Sequence, residues 1–525
     1  MTRMLLFLLL AWTIISCNSN GEATLNEFNQ PSDTVLPKVI AGNFSNQQDI
    51  KLDSSSIDRF LSSHDHFVEF KKDLHTFYRN RNYAMAWFDS TGMIEQANIL
   101  FNRIMKMQED GMPLDVPYLD EYTSLMKSPA VQSNPKIELM QTSQYLHYAK
   151  KLLFGISEEQ SKSLEWFIPR KKTNYIELLD SILVGDTLLE NKNVFPQYDL
   201  LKEKLASYQQ IEKNGGWDSI HLVKRNVKLG DRGNHVVALK KRLLTSGEYA
   251  QNDTSNIFDT ELEDAVKSFQ QSHGLKPDGI VSKMTITEMN VSIRERIEQI
   301  IINMERTRWL PRPTRKSYLL INIPQFKLYV YDNDSLFLSC KVVVGKETNR
   351  TAIFKGDMKY VVFSPYWNVP TNIMNKEVLP AIKRNKNYLL ENHMEWYGNS
   401  IRQLPGPWNA LGGVKFVFPN GYDIYLHDTP SKLLFNETTR TFSHGCIRIS
   451  EPKKLAMFLL SGNGDWNEEA IDSAMISRIE KFVPLKKPVP VYVVYFTAFV
   501  GADGVLNFSK DVYSRDVQLK KMILN

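Results

Sequence analysis

The sequence predicts an α+β multidomain chain, and three observations carry that expectation. The 525 residues exceed one ordinary domain and suit several units. Apolar residues recur at spacings of three and four through the N-terminal part and again in a short middle stretch. From Lys316 the period changes to two, as in strands with one buried face. The chain is 42% hydrophobic, 11% aromatic and 23% charged, a globular composition with material for sizeable cores. A formal charge of +5 is a mild bias at this length. It suits a polyanionic partner. Without a basic arm or an aromatic–basic repeat it gives no reason to expect nucleic acid.

The first element is an address. Arg3 precedes an apolar run from Met4 to Ile15, shorter than the roughly twenty residues that span a bilayer. It reads as a signal-peptide core, and residues 1–17 are expected to be a leader ending at Cys17. Residues 18–56, rich in Asn, Ser, Gln and Asp, read as a flexible tether with a reach of ~35 Å.

A helical region is expected over 57–215. Phe67, Phe70, Leu74 and Phe77 set its period, and Leu139, Tyr145, Ala149 and Leu152 continue it. No acid, base and nucleophile cluster stands out there, so it reads as a scaffold. Residues 226–290 form a separate unit. The turn Leu229-Gly230-Asp231-Arg232-Gly233 opens it, Val236, Leu239 and Leu243 begin a helix, and Leu262, Ala265, Val266 and Phe269 mark a second. Gly274 suits a helix C-terminus, and Thr285 to Asn290 begins a third helix. His273 and Asp278 suggest turn residues in preference to a metal site, because no further ligand has diagnostic spacing.

Ile293 to Trp309 reads as an amphipathic connecting helix within 293–312. Ile293, Ile297, Ile300, Ile301 and Met304 lie on one face, Arg and Glu lie on the other, and Pro311 and Pro313 stop it. The mainly-β region is expected over 315–500, with 501–525 as a C-terminal extension.

There are three cysteines, too few for a disulfide framework. Cys340 shares a strand face with Leu336, Leu338, Val342 and Val344, so it reads as a small buried hydrophobe. Cys446 follows Gly445 in Ser443-His444-Gly445-Cys446-Ile447-Arg448-Ile449, and His427 ends a strand in His427-Asp428-Thr429-Pro430. A free thiol, with a pKa of about 8.5, is mostly protonated at neutral pH. A nearby imidazole that takes its proton yields a nucleophile. Backbone N–H groups around Gly445-Cys446 suit a developing oxyanion. Arg448 lies two residues beyond Cys446 and returns to the same strand face, where a guanidinium suits a carboxylate. A zinc site from His427, His444 and Cys446 is the weaker reading, since no fourth ligand is evident.

Several of these segments carry a family resemblance. Residues 226–290 resemble the three-helix peptidoglycan-binding domain in G-D-x-G, V-x-x-L-x-x-x-L, A-V-x-x-F-Q and G-L-x-x-D-G. His427-Asp428-Thr429-Pro430 with Ser443-His444-Gly445-Cys446-Ile447-Arg448 resembles the catalytic motif of the YkuD-type L,D-transpeptidases. Trp367-Asn368-Val369-Pro370, Lys376 to Pro380 and Pro405 to Gly412 resemble its large Gram-negative subgroup. Ile14-Ile15-Ser16-Cys17 resembles a lipobox.

The resemblance implies a mainly-β catalytic domain, a peptidoglycan-binding module, a helical scaffold and a lid insertion over 372–412. It also implies that Cys446 attacks a stem-peptide carbonyl while His427 takes the thiol proton. Forming the thioester would expel D-alanine, and its acyl group would pass to the amine of a second stem, joining third residues. Asp428 would orient His427 through its carbonyl. Ser443, His444, Gly445 and Arg448 would shape the pocket and bind donor carboxylates. No cofactor or metal is implied. The partners would be peptidoglycan stem peptides and, through lipidated Cys17, a membrane, which places the chain in the periplasm. The alternatives are hydrolysis or amino-acid exchange at the same site, or a non-catalytic wall-binding lipoprotein.

Overall fold

The computed structural model describes residues 50–524 except 128–132, 172, 184–193, 222–225 and 251–252. The expected leader, Cys17 and all but the last residues of the tether lie outside the described residues. Among those described, no helix is long and apolar enough to cross a membrane.

The helical region is built around the helix Pro135–Phe154. Asn134 starts it by accepting from Lys136 N–H at 2.9 Å, Pro135 stands in the first turn, and Gly155 (φ +63°) ends it. Polar residues are buried along it together with apolar ones, and Glu138 shows what such a residue does there. Glu138 accepts from Ala86 N–H at 2.6 Å, Trp87 N–H at 3.0 Å and the Tyr78 hydroxyl at 2.8 Å. The two backbone donors directly precede a two-strand hairpin, β1 (Phe88–Asp89) and β2 (Gly92–Met93), while Tyr78 comes from the helix Lys71–Asn80.

The middle unit holds three helices, Asn234–Ser246, Thr260–Ser272 and Lys283–Met289, around its own core of Val236, Leu239, Leu243, Leu262, Val266 and Phe269. Gly274 follows the second helix at φ +66°. His273 Nδ1 bonds the Phe269 carbonyl at 2.8 Å, and Asp278 accepts from Ile280 N–H at 3.0 Å. Both residues serve turns.

The connecting helix, Ile293–Arg308, departs from the amphipathic expectation. Its polar side is buried as well: Arg296, Glu305, Arg306 and Arg308 are all inside. The reason is position. Ile297, Ile300 and Met304 belong to the helical region's core, while Ile302 and the following Trp309 belong to the core of the sheet region. With both faces covered, the charges are satisfied in place. Arg308 pairs with Glu305 at 2.9 Å, Arg306 with Asp516 at 2.7 Å, and Arg296 with Glu288 at 2.6 Å.

The C-terminal sheet takes β3 (Tyr318–Asn322), β4 (Lys327–Asp332), β5 (Ser335–Gly345) and β6 (Phe354–Phe363). A small three-strand sheet of β7 (Trp367–Asn368), β8 (Met394–Tyr397) and β9 (Ser400–Gln403) interrupts it. The large sheet resumes with β10 (Val414–Val417), β11 (Leu426–His427), β12 (Thr441–Ser443), β13 (Ile447–Ile449) and β14 (Lys481–Val494). Its order is β12-β5-β13-β11-β10-β6-β14-β3-β4, and β4 also pairs with β5, so the sheet closes on itself. The pairs β11–β13, β12–β5 and β14–β3 are parallel. Cys340 is buried in β5.

The segment between β7 and β10 has its own small core of Val369, Val378 and Ile401. The chain after β14 is no loose appendage. β15 (Ala498–Val500) and β16 (Leu506–Phe508) form a hairpin whose Ala498, Val500, Leu506 and Phe508 enter the helical region's core. The last helix, Arg515–Ile523, packs Leu519 into the sheet core.

Candidate active site

The site is set by two short parallel strands. β11 pairs with β13 so that Leu426 faces Ile447 and His427 faces Arg448. Leu426, Ile447 and Ile449 are buried in the sheet core. Because side chains alternate along a strand, Tyr425, His427, Cys446 and Arg448 fall together on the other face. The Tyr425 and His427 rings lie 5.8 Å apart, edge to face.

The turn before Cys446 is braced from within. Gly445 has φ +122°, open to glycine and strained for any other residue. The Ser443 hydroxyl donates to the Cys446 carbonyl at 2.6 Å and accepts from Gly445 N–H at 3.1 Å. Ser443 therefore spends its hydrogen bonds on the loop. With Gly445 N–H committed, the Cys446 N–H is the one of that pair without a hydrogen-bond partner among the described residues. The Thr351 hydroxyl donates to the Gly445 carbonyl at 2.8 Å and accepts from Gly345 N–H at 2.9 Å. The Tyr513 hydroxyl donates to the Gly345 carbonyl at 2.6 Å, so the C-terminal segment also supports this turn.

His427 is buried, and its Nδ1 bonds the Asp428 carbonyl at 2.5 Å. Nδ1 carries the hydrogen in that bond, which leaves Nε2 unprotonated and basic. Asp428 is clamped in turn: its carboxylate accepts from Gly413 N–H at 2.9 Å and pairs with Lys432. Gly412 sits at φ +60°, and a Cβ there would lie 2.3 Å from the Asp428 carboxylate. The Asp428 side chain is thus turned to the scaffold of the site while its carbonyl serves His427.

The Cys446 thiol is half-buried and donates to the Asp423 carbonyl at 3.6 Å. Tyr425 also hydrogen-bonds it. Asp423 stands at φ +54°, in a turn held by Asn420, whose side-chain Oδ1 accepts from Tyr422 N–H at 3.0 Å. Among the described residues no hydrogen bond joins Cys446 to His427. Burial pushes the thiol pKa up, and the Tyr425 hydrogen bonds and Arg448 oppose that only in part. Burial, with Arg448 beside it, pushes His427 down to about 3. At neutral pH the two are a neutral thiol and a neutral imidazole. Arg448 Nε is buried without a hydrogen-bond partner. His444, more exposed, bonds Glu377 at 2.8 Å, reaching the segment expected to be a lid.

Residues 316–489 match the L,D-transpeptidase catalytic domain family YkuD, residues 72–205 the Scaffold domain, and residues 232–289 the family described as "Putative peptidoglycan binding domain". The chain carries an L,D-transpeptidase catalytic domain of the YkuD family. A Haemophilus influenzae protein named "Putative L,D-transpeptidase" is 28% identical over 303 residues, 53% of this chain and 60% of the relative. The chain thus matches about 60% of the length of that relative. Among solved structures, the L,D-transpeptidase of Stackebrandtia nassauensis is similar at 14% identity, covering 51% of this chain and 94% of that one, with a TM-score of 0.24. L,D-transpeptidase 1 of Mycobacterium tuberculosis is similar at 12% identity, covering 35% and 63%, with a TM-score of 0.18.

Within this L,D-transpeptidase domain the predicted residues fall into three groups. His427, Cys446 and Arg448 share one strand face; Ser443, Gly445 and Asp428 brace it from behind; His444 points to Glu377. Tyr425, Asp423, Thr351 and Tyr513 are not singled out by the sequence, and Glu377 is marked there only as part of the Lys376 to Pro380 segment. Tyr425 was within reach, since it precedes His427 by two residues on a strand. Asp423, Thr351 and Tyr513 arrive through tertiary contacts that carry no local signal.

Proposed function

We propose that the chain forms peptidoglycan cross-links through a Cys446 thioester. The observation that carries this reading is the shared strand face of Cys446, His427 and Arg448 within a YkuD-family domain. The donor is a tetrapeptide stem. Its third-residue carbonyl carbon is attacked by Cys446 Sγ as the thiol proton passes to His427 Nε2. Because thiol and imidazole are both neutral at rest, proton transfer accompanies attack in place of a preformed ion pair. The Cys446 N–H faces the developing oxyanion. The C–N bond to D-alanine breaks, and the leaving amine takes the proton from His427. The Arg448 guanidinium, with an unpartnered Nε, is suited to hold a donor carboxylate. The amine of a second stem's third residue then attacks the thioester, gives its proton to His427 and releases the thiol.

The three-helix unit would hold the polymer. Cys17 is proposed as the lipid attachment point of a periplasmic protein; recovery of a Cys17→Ala chain with membranes would contradict that. The catalytic reading is tested by incubating the purified chain with disaccharide-tetrapeptides and analysing products by mass spectrometry. Cross-linked dimers and free D-alanine are expected. Free tripeptide without dimers would make water the acceptor, and unchanged dimer yield with Cys446→Ala would remove the thiol from the reaction.

A further inference from the structure

A cleft of about 700 Å³ opens between the three-helix unit, the end of the β4–β5 pair and the chain after β16. Its walls carry six cations: Lys276 and Lys283 from the three-helix unit, Lys327, Lys341 and Arg440 from the catalytic domain, and Lys510 from the C-terminal segment. Among the described residues none of the six forms an ion pair. Arg440 is buried, yet its three hydrogen bonds go to neutral carbonyls, those of Val342 at 3.1 Å, Glu437 at 2.6 Å and Phe326 at 3.1 Å. Lys327 and Lys341 stand directly opposite each other on β4 and β5, a destabilising pairing of like charges that Asp503, acting on Lys327, offsets only in part against burial and Arg440. Two carboxylates, Glu288 and Glu437, also line the cleft; Glu288 is already taken by Arg296 at 2.6 Å, and Glu437 stands exposed.

The walls are tied together. Gln299 of the connecting helix donates to the Thr497 carbonyl at 3.0 Å and the Ser509 carbonyl at 3.3 Å. The His273 and Phe508 rings lie 5.4 Å apart, and the Arg296 guanidinium sits 4.4 Å from the Phe508 ring centre. The cleft is therefore a fixed feature, of the size that takes a small ligand. It is also near the nucleophile along the chain. Arg440 leads through β12 to Cys446, six residues on, a span of at most about 20 Å.

We propose that this cleft is a second subsite that grips carboxylate-bearing stem peptides of polymeric peptidoglycan, shared between the three-helix unit and the catalytic domain. The assignment rests on the peptidoglycan reading above. Six cations against Glu288 and Glu437, with Asp503 acting on Lys327 from nearby, leave a net positive cleft that calls for an anion, and the polymer's stems supply carboxylates at regular intervals. A strand held there keeps neighbouring stems within reach of Cys446.

The test measures binding of the full chain carrying Cys446→Ala to isolated peptidoglycan, so that no cross-linking enters the result. Combined Lys276→Glu, Lys283→Glu and Lys510→Glu is expected to weaken binding at least about tenfold, and Lys→Arg at the same positions to retain it. Binding is also expected to weaken as salt rises. If the reversed variant does not fold, the decisive arm is the unreversed chain on peptidoglycan whose carboxylates have been converted to amides, with the same loss expected. Equal binding by the folded reversed variant, or to the amidated polymer, would overturn the proposal. So would loss of binding on removal of phosphate polymers alone, which would make phosphate the ligand. Failure here leaves the transpeptidase reading standing, and failure of the product analysis leaves the binding result standing.

Discussion

Burial and the Arg448 guanidinium hold His427 down to about 3, while burial pushes the Cys446 thiol up. The sign of the pH dependence follows. His427 stays unprotonated from about pH 4 upward, so it contributes no titration near neutrality. The reactive thiolate of the resting protein instead accumulates as pH rises through the raised thiol pKa. Alkylation of Cys446 by iodoacetamide is expected to accelerate steadily from pH 6 to pH 9, without levelling off. A plateau below pH 7, as a thiolate–imidazolium pair gives, would contradict the neutral resting state. Much of this residue-scale picture was legible beforehand. The glycine before Cys446, the strand end at His427 and the two-residue step to Arg448 all follow from local spacing. The Asp428 carboxylate was not, because its partners Gly413 and Lys432 are chosen by how β10 and the following turn pack. Ser443 proved a brace for the turn, since its hydroxyl has partners within three residues.

At the scale of elements, the segment between β7 and β10 has a core of its own and reaches the nucleophile turn through Glu377 and His444. Both side chains are partly exposed, so the pair contributes only about 0–1 kcal/mol to stability. Its effect is on local opening. Glu377→Ala is expected to speed amide hydrogen exchange in residues 371–384 while leaving the thermal midpoint nearly unchanged. Unchanged exchange there would show that the contact does not hold this segment. The connecting helix marks where sequence periodicity misleads. Its isoleucines gave the period correctly, but a pattern of Ile against Arg and Glu reads as a surface helix. Only the tertiary arrangement supplies Asp516 and Glu288 as partners that let the charged side be buried.

At the scale of the whole molecule, the helical region and the catalytic domain share material. Leu164, Trp166 and Phe195 enter the sheet core, and the β15–β16 hairpin enters the helical core. No sequence pattern announces such an exchange, since each segment is ordinary apolar sequence whose destination is set by the other domain. The Arg306–Asp516 pair lies at this junction, with Asp516 also accepting from the Thr497 hydroxyl at 2.7 Å. Asp516→Ala leaves Arg306 charged and buried, a loss expected to cost about 3–5 kcal/mol. Chemical denaturation checks it, and a loss under about 1 kcal/mol would contradict the interlocked arrangement.

The central claim is that Cys446 carries the acyl group. Intact mass spectrometry of the chain mixed with a tetrapeptide donor tests it most directly. A covalent adduct on Cys446 equal to the donor less D-alanine is expected, absent in Cys446→Ala and slow to form in His427→Gln. An adduct of the same mass on the Cys446→Ala chain, or turnover of the donor with no thioester ever trapped on Cys446 after rapid acid quenching, would contradict it.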